Sequence, residues 1–484
     1  MDRYHNRADI EKISKKLVDI LEEYYVQPEK NPVVPKYDKQ NSVNKFSEAE
    51  PPQKGEALEN VINYFKTEIL SESVKTWHPM FLNQMFPGVS FPSIVGDYMA
   101  SMMNPTLATW EIAPVASIIE RNVVKWMAEI IGMPEGSSGV MVPGGSLANL
   151  MALTIARNKI SPEIAKTGIT PNNVIICSET AHYSVKNAAN LLGIGINNLV
   201  TVKTNERNEI DSEDFKLKLK YCEENNLNPF ATVLIIGNTV TGGTDKLREI
   251  AELCKERKIH IHVDAAFGGG LSLTSDSKDI FDGIELADSI CWDTHKWFHT
   301  SLTSTALLVP DATVLKDTFN TNADYLFHPD NDGIEEAEDL GKYTLLCGKR
   351  FDSLKTWILW KTLGTEGLRE IADSRIKLVN DFYNTLDQDP DFTPSYRPKT
   401  PIQCFRFTSQ KLENASTEYL DRMHRWIREQ FKVDQKAFFN VANLNGKIHF
   451  RAILVNPLTT IEHLNFIMKE IKVYAEKFIE ENPV

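Results

Sequence analysis

Ser289-Ile290-Cys291-Trp292-Asp293-Thr294-His295-Lys296-Trp297 is a short apolar run that ends at a lysine. After it come Phe298-His299-Thr300-Ser301 and a second apolar run, Ser304-Thr305-Ala306-Leu307-Leu308-Val309. Two such runs with a polar connection predict a β-hairpin, with Lys296 in the loop where the first strand ends. Trp292, Trp297 and Phe298 flank the lysine. Withdrawal from water disfavours an ammonium and frees the amine to attack a carbonyl carbon, which is Schiff-base chemistry. The competing reading is a loop lysine that lays its stem on aromatic faces and keeps its charge in solvent. Residues elsewhere in the chain bear on the choice.

From Ser93 onward, short β-branched runs alternate with helical patterns, which predicts an α/β domain around a largely parallel sheet. Ligands of such sheets gather at the carboxyl ends of strands. Val140-Met141-Val142 leads into Pro143-Gly144-Gly145-Ser146 and a helix with Leu147, Leu150, Met151, Thr154 and Ile155 on one face. Two glycines let the backbone approach a phosphate, and a helix N-terminus favours an anion. An ordinary turn with Ser146 as N-cap is the alternative. The spacing is neither the Walker nor the dinucleotide type, so no nucleotide is implied.

Val174 to Cys177 predicts a strand that ends at Ser178-Glu179-Thr180-Ala181-His182-Tyr183-Ser184. Another, Thr232 to Ile236, ends in Gly237-Asn238-Thr239-Val240-Thr241-Gly242-Gly243, where glycines and hydroxyls gather. Ile259 to Ala266 alternates, so His260, His262 and Asp264 share a face. The scattered cysteines and the lack of further ligands nearby argue against a metal there. Asp264 is followed by Ala265, Ala266 and Gly268 to Gly270, small residues that leave a gap for a planar ligand. A buried carboxylate needs a partner, and a protonated ring nitrogen would serve.

Pyridoxal phosphate asks for this set: a helix N-terminus for its phosphate, a carboxylate for its ring nitrogen, an imidazole for its ring face and a lysine for its aldehyde. The stretches His78-Pro79, Gly144-Gly145-Ser146, Glu179-Thr180-Ala181-His182-Tyr183-Ser184, His262-Val263-Asp264-Ala265-Ala266 and His295-Lys296-Trp297 follow in order from about Trp77. Together they resemble the group II pyridoxal-phosphate amino-acid decarboxylases, which include glutamate, aspartate, cysteine sulfinate and aromatic amino-acid enzymes. The resemblance implies a type I aminotransferase-like α/β fold. Its expected parts are an N-terminal helical dimerisation segment over 1–82, a large cofactor-binding domain with a mostly parallel sheet over 83–354, and a small C-terminal α/β domain over 355–484. It also implies a homodimer with active sites at the subunit interface.

Carried over by position, Lys296 resembles the Schiff-base lysine, Asp264 the partner of the ring nitrogen and His182 the imidazole on the ring. Gly145, Ser146, Thr239, Ala266 and His295 fall at cofactor-binding positions. Tyr325, 29 residues after the lysine, resembles the acid of a flexible loop, and the acidic stretch Asp330 to Asp339 fits a mobile lid. Gln84 and Arg451 resemble substrate contacts. Taken alone, Gln84 also reads as a satisfied turn residue and Arg451 as a surface strand arginine in a salt bridge. The implied reaction turns an L-amino acid into its amine and carbon dioxide. Asn83-Gln84 and Glu111-Ile112-Ala113-Pro114 lean to an acidic substrate, aspartate or glutamate, whereas Trp292-Asp293, Lys296-Trp297 and Phe91-Pro92-Ser93 lean to the aromatic branch. Three departures stand out: Asp293-Thr294 where many members have Asn-Pro, Asn238 where threonine is usual, and Ala108 where the glutamate and cysteine sulfinate branches carry an aromatic. An aminotransferase or aldehyde-forming relative, and a non-enzymatic binding protein, are the competing readings.

The whole chain fits this frame. Its 484 residues, 42% hydrophobic and 25% charged, predict a soluble globular protein, and a net charge of −13 argues against nucleic acid or an anionic membrane as partner. Six dispersed cysteines without a C-x-x-C pair predict a reducing, cytoplasmic setting. Neither a signal peptide nor a membrane span is read in the sequence. Ile10, Ile13, Leu17, Ile20 and Leu21 predict an N-terminal helix, which a polar, proline-rich arm from Pro28 to Pro52 joins to a second helical pattern over 57–70. A lone amphipathic helix must pack on another domain or a second subunit. Towards the C-terminus, helices are predicted over 356–363 and 368–386 and strands over 403–407 and 447–454.

Overall fold

The computed structural model describes residues 7–36, 38–161, 163–321, 323, 325–327 and 338–483. The chain divides into two units: Val89–Asn380 with Tyr396–Ile402, and Met1–Gly88 with Asp381–Ser395 and Gln403–Val484.

The first unit is an α/β layer structure. Seven strands, β1 (Ser138–Val142), β2 (Asn173–Ser178), β3 (Leu199–Val202), β4 (Asn228–Ile235), β5 (His260–Asp264), β6 (Ser289–Asp293) and β7 (Thr305–Val309), form one sheet in the order β1-β7-β6-β5-β4-β2-β3. The pairs from β6 through β3 are parallel, while β7 runs antiparallel to both its neighbours. β6 and β7 are thus the expected hairpin. Because β1 and β6 both oppose β7, the carboxyl ends of β1, β2, β4, β5 and β6 lie on one edge. Every residue of β2, β5, β6 and β7 is buried, and near-continuous apolar runs are what strands covered on both faces require.

The helix Gly145–Ile160 covers one face of the sheet. Ala148, Met151, Ala152 and Ile155 pack with Val140, Val142, Cys291 and Leu307. Its buried face is rotated from the predicted one: Leu147, Leu150 and Thr154 are only partly covered, whereas Asn149 faces inward. The sheet's inner surface carries Asp264 and His262, and these draw a polar side chain to a position that hydrophobic periodicity leaves to a leucine.

In the second unit, β8 (Phe392–Pro394), β9 (Ile402–Phe407), β10 (Asn440–Leu444) and β11 (Lys447–Ile453) form a four-stranded sheet, ordered β10-β11-β9-β8. The helices Thr417–Val433 and Ile461–Glu481 belong to the same unit. Its N-terminal helix spans Arg7–Val26, with Lys12 and Lys16 paired to Glu59 of the helix Leu58–Tyr64. The stretch Ser353–Gln388 is helical throughout except at Gly364, whose φ of 67° separates the two predicted segments. No helix among the described residues is long and apolar enough to cross a membrane.

Candidate active site

The end of β6 turns into a single helical turn, Thr294–Trp297, so Lys296 stands on that turn rather than in an open loop. Its Nζ lies 3.0 Å from Oδ2 of Asp293, the last residue of the strand. The aromatic neighbours do not surround the amine as their sequence positions predict. Trp292 is wholly buried and its ring lies against Gly269, while the Trp297 ring lies against Gly270 and 5.8 Å from Phe267. The glycines of 268–270 therefore admit indole rings and the backbone of Ile236 rather than opening a gap for a ligand. Burial pushes the Lys296 ammonium towards losing its proton. The carboxylates of Asp293 and Asp264 outweigh that push and hold its pKa above the ordinary lysine value. That balance favours the ammonium over an amine freed by desolvation.

Asp293 is 3% exposed and saturated with partners. Its Oδ1 accepts from Thr305 Oγ1 at 2.6 Å, and its Oδ2 lies 3.5 Å from His295 Nε2. His295 is oriented by Ser304, whose carbonyl is 2.8 Å from Nδ1. Burial lowers the His295 pKa against the opposing pull of Asp293. Thr305 is in register with both Asp293 and Val142, so the end of β6 and the turn after β1 are brought together.

That turn is shaped for an anion. Gly144, at φ 100°, is the helix N-cap, a place the sequence offered to Ser146; Ser146 is exposed on the first helical turn. The N–H groups of Gly145 and Ser146 donate to no described residue. A Cβ on Gly145 would sit 3.1 and 3.3 Å from the Asp293 oxygens and 3.4 Å from the Ala266 Cβ, so only glycine leaves room between them.

Asp264 ends β5, beside β6, and is held by uncharged donors: Asn149 Nδ2 at 2.9 Å from Oδ2 and the Ala266 N–H at 3.1 Å from Oδ1. Among the described residues no cation pairs with it. Asn149 Nδ2 also reaches Ser184 Oγ at 2.9 Å, and Ser184 Oγ lies 2.8 Å from His182 Nδ1. On its other side, Asn149 Oδ1 is 2.9 Å from His262 Nε2, and Ser289 Oγ lies 2.9 Å from His262 Nδ1 and 3.1 Å from His260 Nε2. The two histidines of the alternating run are thereby committed to hydrogen bonds. His182 caps the helix Tyr183–Leu191, and burial lowers its pKa, partly offset by Asp264.

The remaining candidates are more dispersed. Thr239 lies exposed in the turn after β4. Asn238, beside it, closes that turn by accepting from the N–H groups of Val240 and Thr241, so its departure serves the turn. Tyr325 is 85% exposed and makes no hydrogen bond to Lys296, Asp264 or His182; of the predicted lid, 330–337 lie outside the described residues. In the other unit, Arg451 is buried on β11 rather than on the surface, with NH1 3.4 Å from the Asn83 carbonyl, and Gln84 is exposed next to it in sequence. Ala108 is buried, and its carbonyl accepts from the Gly341 N–H at 2.9 Å. Asn149 is the functional residue the sequence reading passed over. Its signal was an amide in an otherwise apolar helical stretch, one turn after a glycine pair.

A cofactor with a phosphate, a basic ring nitrogen and an aldehyde makes three demands. The open N–H groups at Gly145, the cation-free carboxylate of Asp264 and the primary amine of Lys296 answer them on one sheet edge. Fold and site together define a pyridoxal-phosphate enzyme. Comparison with known proteins narrows that class. The family profile described as "Pyridoxal-dependent decarboxylase conserved domain" matches residues 36–408. The acidic amino acid decarboxylase GADL1 of Homo sapiens is 32% identical over 432 residues, 87% of this chain and 81% of the relative. Its Bos taurus counterpart is 31% identical over 84% of this chain and 79% of its own. Among solved structures, mouse CSAD superposes with a TM-score of 0.90 at 26% identity, covering 97% of this chain and 99% of the other. Oryza sativa TDC, solved with PLP and tryptamine, superposes at 0.92 with 24% identity over 98% and 99%. The chain belongs to the pyridoxal-dependent decarboxylases: it is an amino-acid carboxy-lyase that uses pyridoxal 5'-phosphate.

Proposed function

We propose that the substrate is an acidic amino acid, aspartate or glutamate, and that the enzyme is a cytoplasmic homodimer. The likeness to proteins named acidic amino acid decarboxylase, at 31–32% identity over most of the chain, carries the substrate reading. Six free cysteines support a reducing compartment. Exposed Phe91, Tyr98, Met99, Met102 and Met103 on the helix Phe91–Met103, with Ile112 and Val115 beyond it, support a second copy as the cover of that face.

Lys296 is the residue that holds the cofactor covalently. Gly145 and Ser146 would offer their N–H groups to its phosphate, with Thr239, Ala266 and His295 as further cofactor contacts, and His182 would contact its ring. Asp264 keeps a proton on the ring nitrogen. The bound cofactor supplies the electron sink for the pair released when the carboxylate leaves. Arg451 and Gln84 are substrate contacts by family position alone. Tyr325 delivers the proton to Cα, and its exposure in the isolated chain suits a group that closes over a site at the subunit interface.

The test is release of amine and carbon dioxide across a panel holding aspartate, glutamate, tyrosine and tryptophan. Turnover of either acidic substrate at least about tenfold above both aromatics supports the reading; preference for an aromatic overturns it. Tyr325→Phe keeps the ring and removes the proton. Amine formation should fall about 10²-fold, with flux diverted to carbonyl product, and an unchanged amine rate would reject the proton-donor role.

A further inference from the structure

Asp293 has an unusual position for a carboxylate in a site built for an anion. It lies against the glycine of the phosphate turn, is almost wholly buried, and has one cation beside it, Lys296 Nζ at 3.0 Å. Thr305 fixes Oδ1 and leaves Oδ2 aimed at the amine. The charged and titratable groups facing this pair are His295 on the same turn, Asp264 on β5, His182 at its helix N-cap and Cys291 on β6. The cysteine thiol is held neutral by burial, and burial lowers both imidazoles. Asp293 and Asp264 are therefore the charges that act on the Lys296 nitrogen, and the nearer of them is Asp293.

We propose that Asp293 is a positioning residue that keeps a proton on the Lys296 nitrogen, first as ammonium and then on the C=N bond that ties this nitrogen to the cofactor. The inference rests on Lys296 being the attachment point. The step balances without a further reactant. Asp293 borrows one proton from the ammonium, the nitrogen lone pair bonds to the aldehyde carbon, and the aldehyde oxygen leaves as water with two of the three ammonium protons. The third proton remains on nitrogen, so the charge of +1 is conserved opposite the same carboxylate. In a low-dielectric site a charge at that distance strongly favours the protonated form. The amide found at this position in many relatives of the resembled family has no such charge.

The experiment is an absorbance titration of the cofactor-loaded protein from pH 6 to 10, following the visible band of the protonated C=N bond. Wild type should keep that band throughout. In Asp293→Asn, an isosteric change, the band should titrate with a midpoint lowered by about one pH unit or more, and Thr305→Val should shift it the same way by less. Thr305→Val serves as the readout if the asparagine variant does not fold. A folded Asp293→Asn protein whose band is as pH-resistant as wild type overturns the proposal. A wild type that develops no visible band and takes no borohydride-trapped label on Lys296 overturns both this inference and the assignment of Lys296, so the two failures are distinguishable.

Discussion

Asp264 and Asp293 end neighbouring parallel strands on the same edge of one sheet, and both are buried, yet their surroundings are opposite. Asp264 is held by an amide and a backbone N–H, neutral donors that fix its direction without neutralising it. Asp293 is bound by a lysine ammonium, a threonine hydroxyl and a nearby imidazole. A buried carboxylate without a cation is costly unless a positive partner arrives, whereas one already paired has little left to offer a ligand. The partner shells fit the proposed roles, Asp264 as the partner of a protonated ring nitrogen and Asp293 as the carboxylate beside the lysine.

Substitutions can break this contrast, and Lys296→Ala should have the largest effect. It removes the cation from Asp293 and leaves the Asp264 shell intact, so cofactor still binds but activity falls at least about 10⁴-fold. Borohydride reduction and peptide mapping check it; a pyridoxyl label on another lysine sinks the assignment. Next is Asp264→Asn, which removes the charge meant for the ring nitrogen. Loss of one partner from a buried pair corresponds to about 10²–10³-fold in rate, measured as initial rate at saturating cofactor. An Asp264→Asn rate within a few-fold of wild type would show that the two carboxylates are not divided as described.

Asn149→Ala sharpens the comparison because it strips a neutral donor from Asp264 and orphans His262 and Ser184, without touching Asp293. Stability should drop by about 2–4 kcal/mol, read from the urea midpoint, while the borohydride label on Lys296 persists. The smallest effect concerns acid. Burial drives His260 down to about 3 and His262 to about 4, so the folded chain refuses protons that the unfolded chain accepts near pH 6.5. Their stabilisation is fully present above about pH 6.5 and is lost as pH falls towards the folded values. Denaturation midpoints at pH 7.5 and 5 should differ accordingly. His260→Asn should lose about 2 kcal/mol less than wild type over that interval, and equal losses would contradict the account.

Some of the site was legible because local pattern and chemistry agree. Short apolar runs placed β2, β4, β5, β6 and β7, and residues just past the parallel ones must fall near one edge of the sheet, so His182, Asp264 and Lys296 could be named. The helix break at Gly364 fell between two segments that periodicity already separated. Other features depended on groups distant in sequence. Asn149 is polar on a face where helical spacing favours leucine, and it faces inward because Asp264 and His262, more than a hundred residues away, supply its partners.

The sequence by itself determined the α/β class, the strand ends and the chemical inventory of the site, since side-chain period and turn composition are local properties. It also carried the family likeness through its motifs. Only the tertiary structure decided the charge on Lys296. From sequence, three aromatics are its neighbours, which leaves open both a desolvated amine and an ammonium kept in solvent. In the fold, the rings of Trp292 and Trp297 turn onto Gly269 and Gly270, and two carboxylates act on the nitrogen instead. Adjacency along the chain says little about which groups share a small volume, and electrostatic energy depends on distance through space.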